Sequence, residues 1–208
     1  MSADAKPNTK LEFRKRILDG RAAGHDCGHA HSQLLIDFSW EKRVTSVACY
    51  ISFGDEPSTN VFLKHCQFND RIELYVPRVN GEDLEWVLFN EDQARHPLGM
   101  NEPLGEAVPL SEVDLMVVPA LAADKHGKRL GRGRGFYDRA LSKLDAKTTV
   151  VLVHDDELFR CRVGQYFFKW RQHVAVIFAR TLRTLLIHIE LLIRLLREHG
   201  QHGVASRH

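Results

Sequence analysis

The stretch GRGRGFYDRAL, residues 131–141, sets three glycines, three arginines, an aromatic pair and an acid within eleven positions. Alternating Gly131, Gly133 and Gly135 let the backbone take positive φ and approach a ligand closely, presenting N–H groups that side chains would otherwise screen. That arrangement suits a phosphate. A helix beginning near Phe136 adds free N–H groups and its positive dipole end, while Arg132, Arg134 and Arg139 add full charges with forked donors. Asp138 then reads as a candidate magnesium ligand, because a hard cation bridging polyphosphate oxygens takes a carboxylate nearby. The loop is neither a Walker A sequence nor the G-x-G-x-x-G that follows the first strand of a dinucleotide fold. Spacing alone therefore leaves phosphate binding beside two other readings, a glycine-rich turn with solvated arginines and an arginine–aromatic patch for RNA.

A loop of this kind needs a rigid frame. VDLMVVPAL, residues 113–121, is continuously apolar and reads as a central strand entering the loop, and FYDRALSKL reads as the helix leaving it. Upstream, PNTKLEFRKRILDGRAAG predicts a helix from about Lys10 to Ala23, with Thr9 as N-cap, Leu11, Ile17 and Leu18 apolar, and a basic face of Lys10, Arg14, Lys15 and Arg16. HAHSQLLIDFSW continues as a second helix. RVTSVACYISF, residues 43–53, predicts a buried strand ending at Gly54; STNVFLKHCQF is helical, RIELYVPRV returns to strand, and NGEDLEWVLFN reads as a hairpin or edge strand begun at Asn80-Gly81. TTVVLVHDDEL and HVAVIFARTL supply two more strands. Alternating strands and helices predict an α/β fold: a single domain with an open, mostly parallel sheet flanked by helices, and ligands at the carboxyl ends of its strands. Its span is residues 8–182, followed by an amphipathic helix and flexible tail over 183–208.

Composition excludes several alternatives. With 208 residues, 44% hydrophobic and 27% charged, the chain can bury a sizeable core. A net charge of +2 gives no whole-molecule attraction for nucleic acid or anionic lipid, so any anion site is local. Cys27, Cys49, Cys66 and Cys161 form no C-x-x-C pair and read as reduced structural thiols. His25, His29 and His31 lack acids or thiols at ligand spacing and read as solvated surface histidines. MSADAKPNTK has no apolar stretch of a secretory signal, which predicts a cytoplasmic protein. In the tail, Leu185, Ile189, Leu192, Leu195 and Leu196 form an apolar face, but Arg183, Arg194, Arg197 and Glu198 interrupt it too often for a membrane span.

The longer stretch VVPALAADKHGKRLGRGRGFYDRAL resembles the signature of the 5-formyltetrahydrofolate cyclo-ligases, also called methenyltetrahydrofolate synthetases. Their pattern, D-x-x-G-x-R-L-G-x-G-x-G-[FY]-Y-D-R, is met by Asp124, Gly127, Arg129, Leu130, Gly131, Gly133, Gly135, Tyr137, Asp138 and Arg139. KLEFR resembles the family's N-terminal K-x-x-x-R element for ATP, which falls on Lys10 and Arg14. CYISFGDEPSTNVFL resembles its folate-contacting strand and loop, with Phe53 and Glu56 at the matching places. The resemblance runs over roughly residues 8–156.

It implies ATP- and magnesium-dependent cyclisation of 5-formyltetrahydrofolate to 5,10-methenyltetrahydrofolate. ATP would meet Lys10, Arg14 and the run Gly131, Arg132, Gly133, Arg134, Gly135, Phe136, Tyr137, Asp138 and Arg139. Of these, Arg134, Tyr137 and Arg139 are the expected catalytic groups and Asp138 the metal ligand. Phe53, Glu56 and Trp86 would bind the reduced folate. The implied partners are small molecules, with no nucleic acid or membrane, and the implied state is a monomer or weak homo-oligomer. After HDDE the sequence departs from the family, and Val174 stands where an Asp is expected, which removes a charge from the metal site. The alternative reading is therefore a catalytically impaired member that binds nucleotide or RNA through the GRGRG loop.

Overall fold

The computed structural model describes residues 9–22, 30–97, 99–124, 128–159 and, as backbone, 174–178. In chain order the elements are α1 (Lys10–Ala22), α2 (Ala30–Glu41), β1 (Ser46–Cys49), α3 (Asn60–Gln67), β2 (Glu73–Asn80) and β3 (Asp83–Leu88). Three short strands follow, β4 (Gln93–Arg95), β5 (Asn101–Pro103) and β6 (Ala107–Val108), then β7 (Glu112–Pro119), β8 (Ala122–Asp124), β9 (Arg129–Leu130) and α4 (Phe136–Lys143). The last are β10 (Asp145–Val153), β11 (Leu158–Phe159) and β12 (Val174–Phe178).

Seven strands form the main sheet in the order β12-β10-β7-β1-β2-β3-β6. The first five are mutually parallel, and β3 and β6 add an antiparallel edge. The continuous apolar runs of β7 and β10 follow from this placement. Leu115 to Val118 and Val150 to Val153 are all buried, as parallel strands covered on both faces must be. β1 is shorter than the run of apolar residues around it: Tyr50, Ile51, Ser52 and Phe53 continue beyond the pairing and enter the next loop.

The crossovers explain where a cleft must open. From β1 the chain passes through α3 to β2 on one side, and from β7 through α4 to β10 on the other. Parallel crossovers share one hand, so moving in opposite directions along the sheet sends α3 and α4 to opposite faces. The neighbours β1 and β7 therefore form a switch point, and the segments leaving their carboxyl ends diverge. On the α4 face, Ala140 and Leu141 pack with Tyr75, Trp86, Met116 and Val118. α2 and α3 bury Leu35, Phe38, Phe62, Leu63 and Cys66.

The predicted elements are present with local differences. Thr9 caps α1 as expected: its hydroxyl accepts the Glu12 N–H (3.1 Å) and the Glu12 carboxylate accepts the Thr9 N–H (3.1 Å), a reciprocal box. The buried stripe of α1 is Phe13, Ile17 and Arg21, however, not Leu11 and Leu18, which are 74% and 37% exposed. Spacing of four selects Phe13–Ile17–Arg21, and an arginine in that stripe hid it from an apolar pattern. Asn80 pairs with Asp83, so the hairpin loop is Gly81-Glu82, with Gly81 at φ 62°. His31 is fully buried rather than solvated, its Nε2 2.9 Å from the Val153 carbonyl. Cys49 and Cys66 are buried free thiols. His25, Cys27, His29, Gly127, Cys161 and the 183–208 tail lie outside the described residues. Val174 opens β12. Among the described residues no helix is long and apolar enough to cross a membrane.

Candidate active site

Three segments converge at the carboxyl ends of β1 and β7: the start of α1, the loop after β1, and the glycine–arginine loop 131–135. Together with Pro77, Val79 and Leu84 of the β2–β3 hairpin, and Met100 and Asn101 near β5, they line a cavity of about 330 Å³. Pro119 and Ala120 at the end of β7 form part of its wall.

Each glycine of the loop has an arginine guanidinium close against it. Gly133 takes φ 107°, and a Cβ there would come within 3.1 Å of the Arg14 guanidinium carbon. Gly135 takes φ 75° as N-cap of α4, and a Cβ would lie 2.7 Å from a guanidinium nitrogen of Arg139. Gly131 has no positive φ, contrary to the expectation from alternation; a Cβ there would meet a guanidinium nitrogen of Arg129 at 2.9 Å. Arg14 closes the arrangement by donating from Nε to the Gly131 carbonyl at 2.9 Å. Thus α1 is clamped to the loop, and Lys10, one turn earlier, lines the same cavity.

Two charged pairs tie the loop to its surroundings. Arg129, 5% exposed, donates to Asp138 Oδ1 at 2.6 Å and to the Pro119 carbonyl at 3.2 Å. Burial weakens its hold on the proton, but the facing Asp138 opposes this and a guanidinium stays charged. Arg132 Nε lies 3.1 Å from Glu56 Oε1 and its guanidinium carbon 5.0 Å from the Phe53 ring centre. Burial raises the Glu56 carboxyl above its ordinary value, with Arg132 pulling the other way. Burial also pushes the phenols of Tyr137 and Tyr50 well above theirs, so both are neutral.

Most sequence-derived site residues meet here: Lys10, Arg14, Phe53, Glu56, Gly131, Arg132, Gly133, Arg134, Gly135, Phe136, Tyr137 and Asp138 all line the cavity. Trp86 and Arg139 do not. Trp86, 6% exposed, packs beneath α4 with Tyr75 and Leu141, because its large ring is better buried there than at the mouth. Arg139 turns to the β2–β3 hairpin, where it donates to the Glu82 carbonyl and lies 3.3 Å from Asp83. Sequence reasoning gave no role to Arg129, although it stands two residues before the first loop glycine, or to Tyr50, Met100 and Asn101, which carry no local signal.

A magnesium ion needs oxygen ligands, and among the described residues no cluster of three metal-ligating side chains exists. Of the two carboxylates on the cavity wall, Asp138 has the open side chain, 43% exposed, while Glu56 is 5% exposed and faces Arg132. A single carboxylate fits an ion that arrives on substrate phosphates and keeps its waters, rather than a resident caged metal.

The sequence model of the 5-formyltetrahydrofolate cyclo-ligase family matches residues 8–162. The chain is 27% identical over 159 residues to the 5-formyltetrahydrofolate cyclo-ligase of Haemophilus influenzae, covering 72% of this chain and 84% of that one. It is 35% identical over 123 residues to the cyclo-ligase of Mycolicibacterium smegmatis, covering 54% of this chain and 63% of the relative. Among solved structures, the NMR structure of Aquifex aeolicus 5,10-methenyltetrahydrofolate synthetase matches with a TM-score of 0.68 at 24% identity, over 81% of this chain and 89% of that one, a likeness of fold.

Proposed function

This chain belongs to the 5-formyltetrahydrofolate cyclo-ligase family, a family of enzymes, and from that premise we propose that it uses ATP to close 5-formyltetrahydrofolate to 5,10-methenyltetrahydrofolate, releasing ADP and phosphate. The observation that carries the proposal is the convergence, on one cavity, of a glycine–arginine anion loop and a buried carboxylate backed by an aromatic ring.

The formamide oxygen is a poor leaving group. Its attack on the γ-phosphorus, with ADP departing, converts it to a good one; the neighbouring folate amine then bonds to the formyl carbon, and the C–O bond breaks as phosphate leaves and takes up the proton that the amine gives up. Little covalent work falls to the protein, whose task is positioning and charge neutralisation. Lys10, Arg14, Arg132 and Arg134 with the loop N–H groups hold the triphosphate. Asp138 supplies the carboxylate for magnesium, which when bound offsets polyphosphate charge. Glu56 accepts from the pterin donors while Phe53 packs on the ring. Tyr137, neutral under these conditions, offers a hydroxyl donor near Glu56. Arg139 holds the loop to the β2–β3 hairpin instead of touching the nucleotide. An RNA role gains no support: Arg132 and Arg139, though exposed, are engaged by Glu56 and Asp83 rather than forming an unpaired basic stripe.

The test is the near-ultraviolet absorbance of the methenyl product, followed with protein, 5-formyltetrahydrofolate, ATP and magnesium. The expected result is a rise that needs ATP; no rise from folded protein that binds ATP overturns the proposal. Gly133→Ala probes the anion loop. It forces a side chain into φ 107° at a cost of about 1–3 kcal/mol and displaces Arg14. We expect the KM for ATP to rise about tenfold, the equivalent of ~1.4 kcal/mol, with the folate KM within twofold of wild type. Equal changes in both KM values would show a general collapse of the cleft instead.

A further inference from the structure

A buried histidine outside the cavity is tied to the residue proposed to read the pterin. His154 follows the last residue of β10 and is 3% exposed. Its Nε2 lies 3.1 Å from the carbonyl oxygen of Asp55, ninety-nine positions away in the chain. A carbonyl only accepts, so Nε2 carries the proton and donates. The Asp55 carbonyl and the Glu56 N–H belong to one planar peptide unit. The Glu56 N–H points to the Phe53 carbonyl at 3.4 Å, so this unit is held at both ends, by His154 on one side and by its own turn on the other. Glu56 hangs directly from it. The turn alone is a weak fastening: its two hydrogen bonds, including Phe53 N–H to Glu56 Oε2, are both 3.4 Å, and Gly54 within it takes φ 57°.

His154 is itself well fixed. Its backbone N–H donates to Glu157 Oε2 at 2.9 Å, and Glu157 is held by Arg21 at 2.5 Å. Its ring meets that of His31 edge-on, centroids 5.8 Å apart, and the buried His31 is anchored to the Val153 carbonyl. Burial lowers the His31 pKa, so a neutral ring faces His154.

We propose that His154 is a positioning residue for folate binding, holding the Asp55–Glu56 peptide so that the Glu56 carboxylate faces the cleft. The inference rests on the proposed role of Glu56, whose carboxylate also meets Arg132 of the nucleotide loop. His154→Ala should raise the folate KM about tenfold, with kcat within twofold and the ATP KM, reached only through the Glu56–Arg132 contact, rising no more than about threefold. His154→Gln, whose side-chain amide can donate to the same carbonyl, should restore the folate KM to within about threefold. A residue needed only for packing would lower the melting temperature without splitting the two KM values and would not be rescued by glutamine. If the alanine variant does not fold, His154→Asn replaces it, since its amide ends one carbon short of the Asp55 carbonyl. The proposal is overturned if folded Ala or Asn variants change both KM values alike, or if Gln is no better than they are. A wild type that lacks turnover yet binds 5-formyltetrahydrofolate sinks the reaction alone, and the comparison is then made on folate Kd with the same criteria. A wild type that does neither overturns both.

Discussion

Asp138→Asn should lower kcat by about 100- to 1,000-fold, the loss seen when one preorganised electrostatic group is removed from a transition state, while the protein stays folded. Asparagine is the informative replacement because Asp138 has two duties. Its Oδ1 receives Arg129 at 2.6 Å, and its charge faces the cavity. The amide oxygen of Asn can still accept from Arg129, so the hydrogen bond survives and only the charge is lost. Alanine would remove the acceptor as well, leaving the buried Arg129 with neither counter-charge nor hydrogen-bond partner at that position, which confuses stability with catalysis more severely. The magnesium concentration that gives half-maximal rate should rise in the Asn variant, with the folate KM near wild type. A kcat within tenfold of wild type, at saturating magnesium, would mean that the carboxylate serves Arg129 and not the nucleotide.

The same residue shows what a sequence can and cannot disclose. Asp138 follows a glycine loop at the start of a helix, and both features are local, so its place on the cleft was legible. Its partnership with Arg129 was not, because that depends on the antiparallel pairing of β9 with β8, which brings Arg129 to Asp138. The parallel sheet was legible for a related reason: strands covered on both faces carry unbroken apolar runs, as in β7 and β10. Trp86 fails the same kind of inference. The resemblance implies a ring platform there, but Leu84 and Trp86 share one face of β3, and the ring of Trp86 is covered by α4 while Leu84, two residues earlier, reaches the cavity. Arg21 is the clearest loss. It has no place in the sequence reading, whereas it occupies the buried stripe of α1, and its partner Glu157 lies 136 positions away. No local pattern encodes a contact of that span.

That buried pair carries the largest expected effect on stability. Arg21 Nε lies 2.5 Å from Glu157 Oε1, and a terminal nitrogen donates to Oε2 at 2.8 Å and to the Ala120 carbonyl at 2.6 Å. The two side chains are 1% and 3% exposed. Glu157→Ala leaves a guanidinium in the interior with its counter-charge gone, which costs about 3–5 kcal/mol; Arg21→Met should cost a similar amount by stranding Glu157. The double variant Arg21→Met/Glu157→Met should be more stable than either single one, because each remaining charge is the penalty that the other substitution removes. Urea denaturation with an unchanged slope measures all three. Single losses below about 1 kcal/mol, the range of exposed pairs, would contradict the burial of this pair. Activity separates a second consequence from the first. Arg21 joins α1, which carries Lys10 and Arg14, to Ala120 on the cavity wall, so the double variant should recover stability without recovering the wild-type ATP KM. Charge balance can be restored by removing both ions, but the register of α1 against the loop cannot.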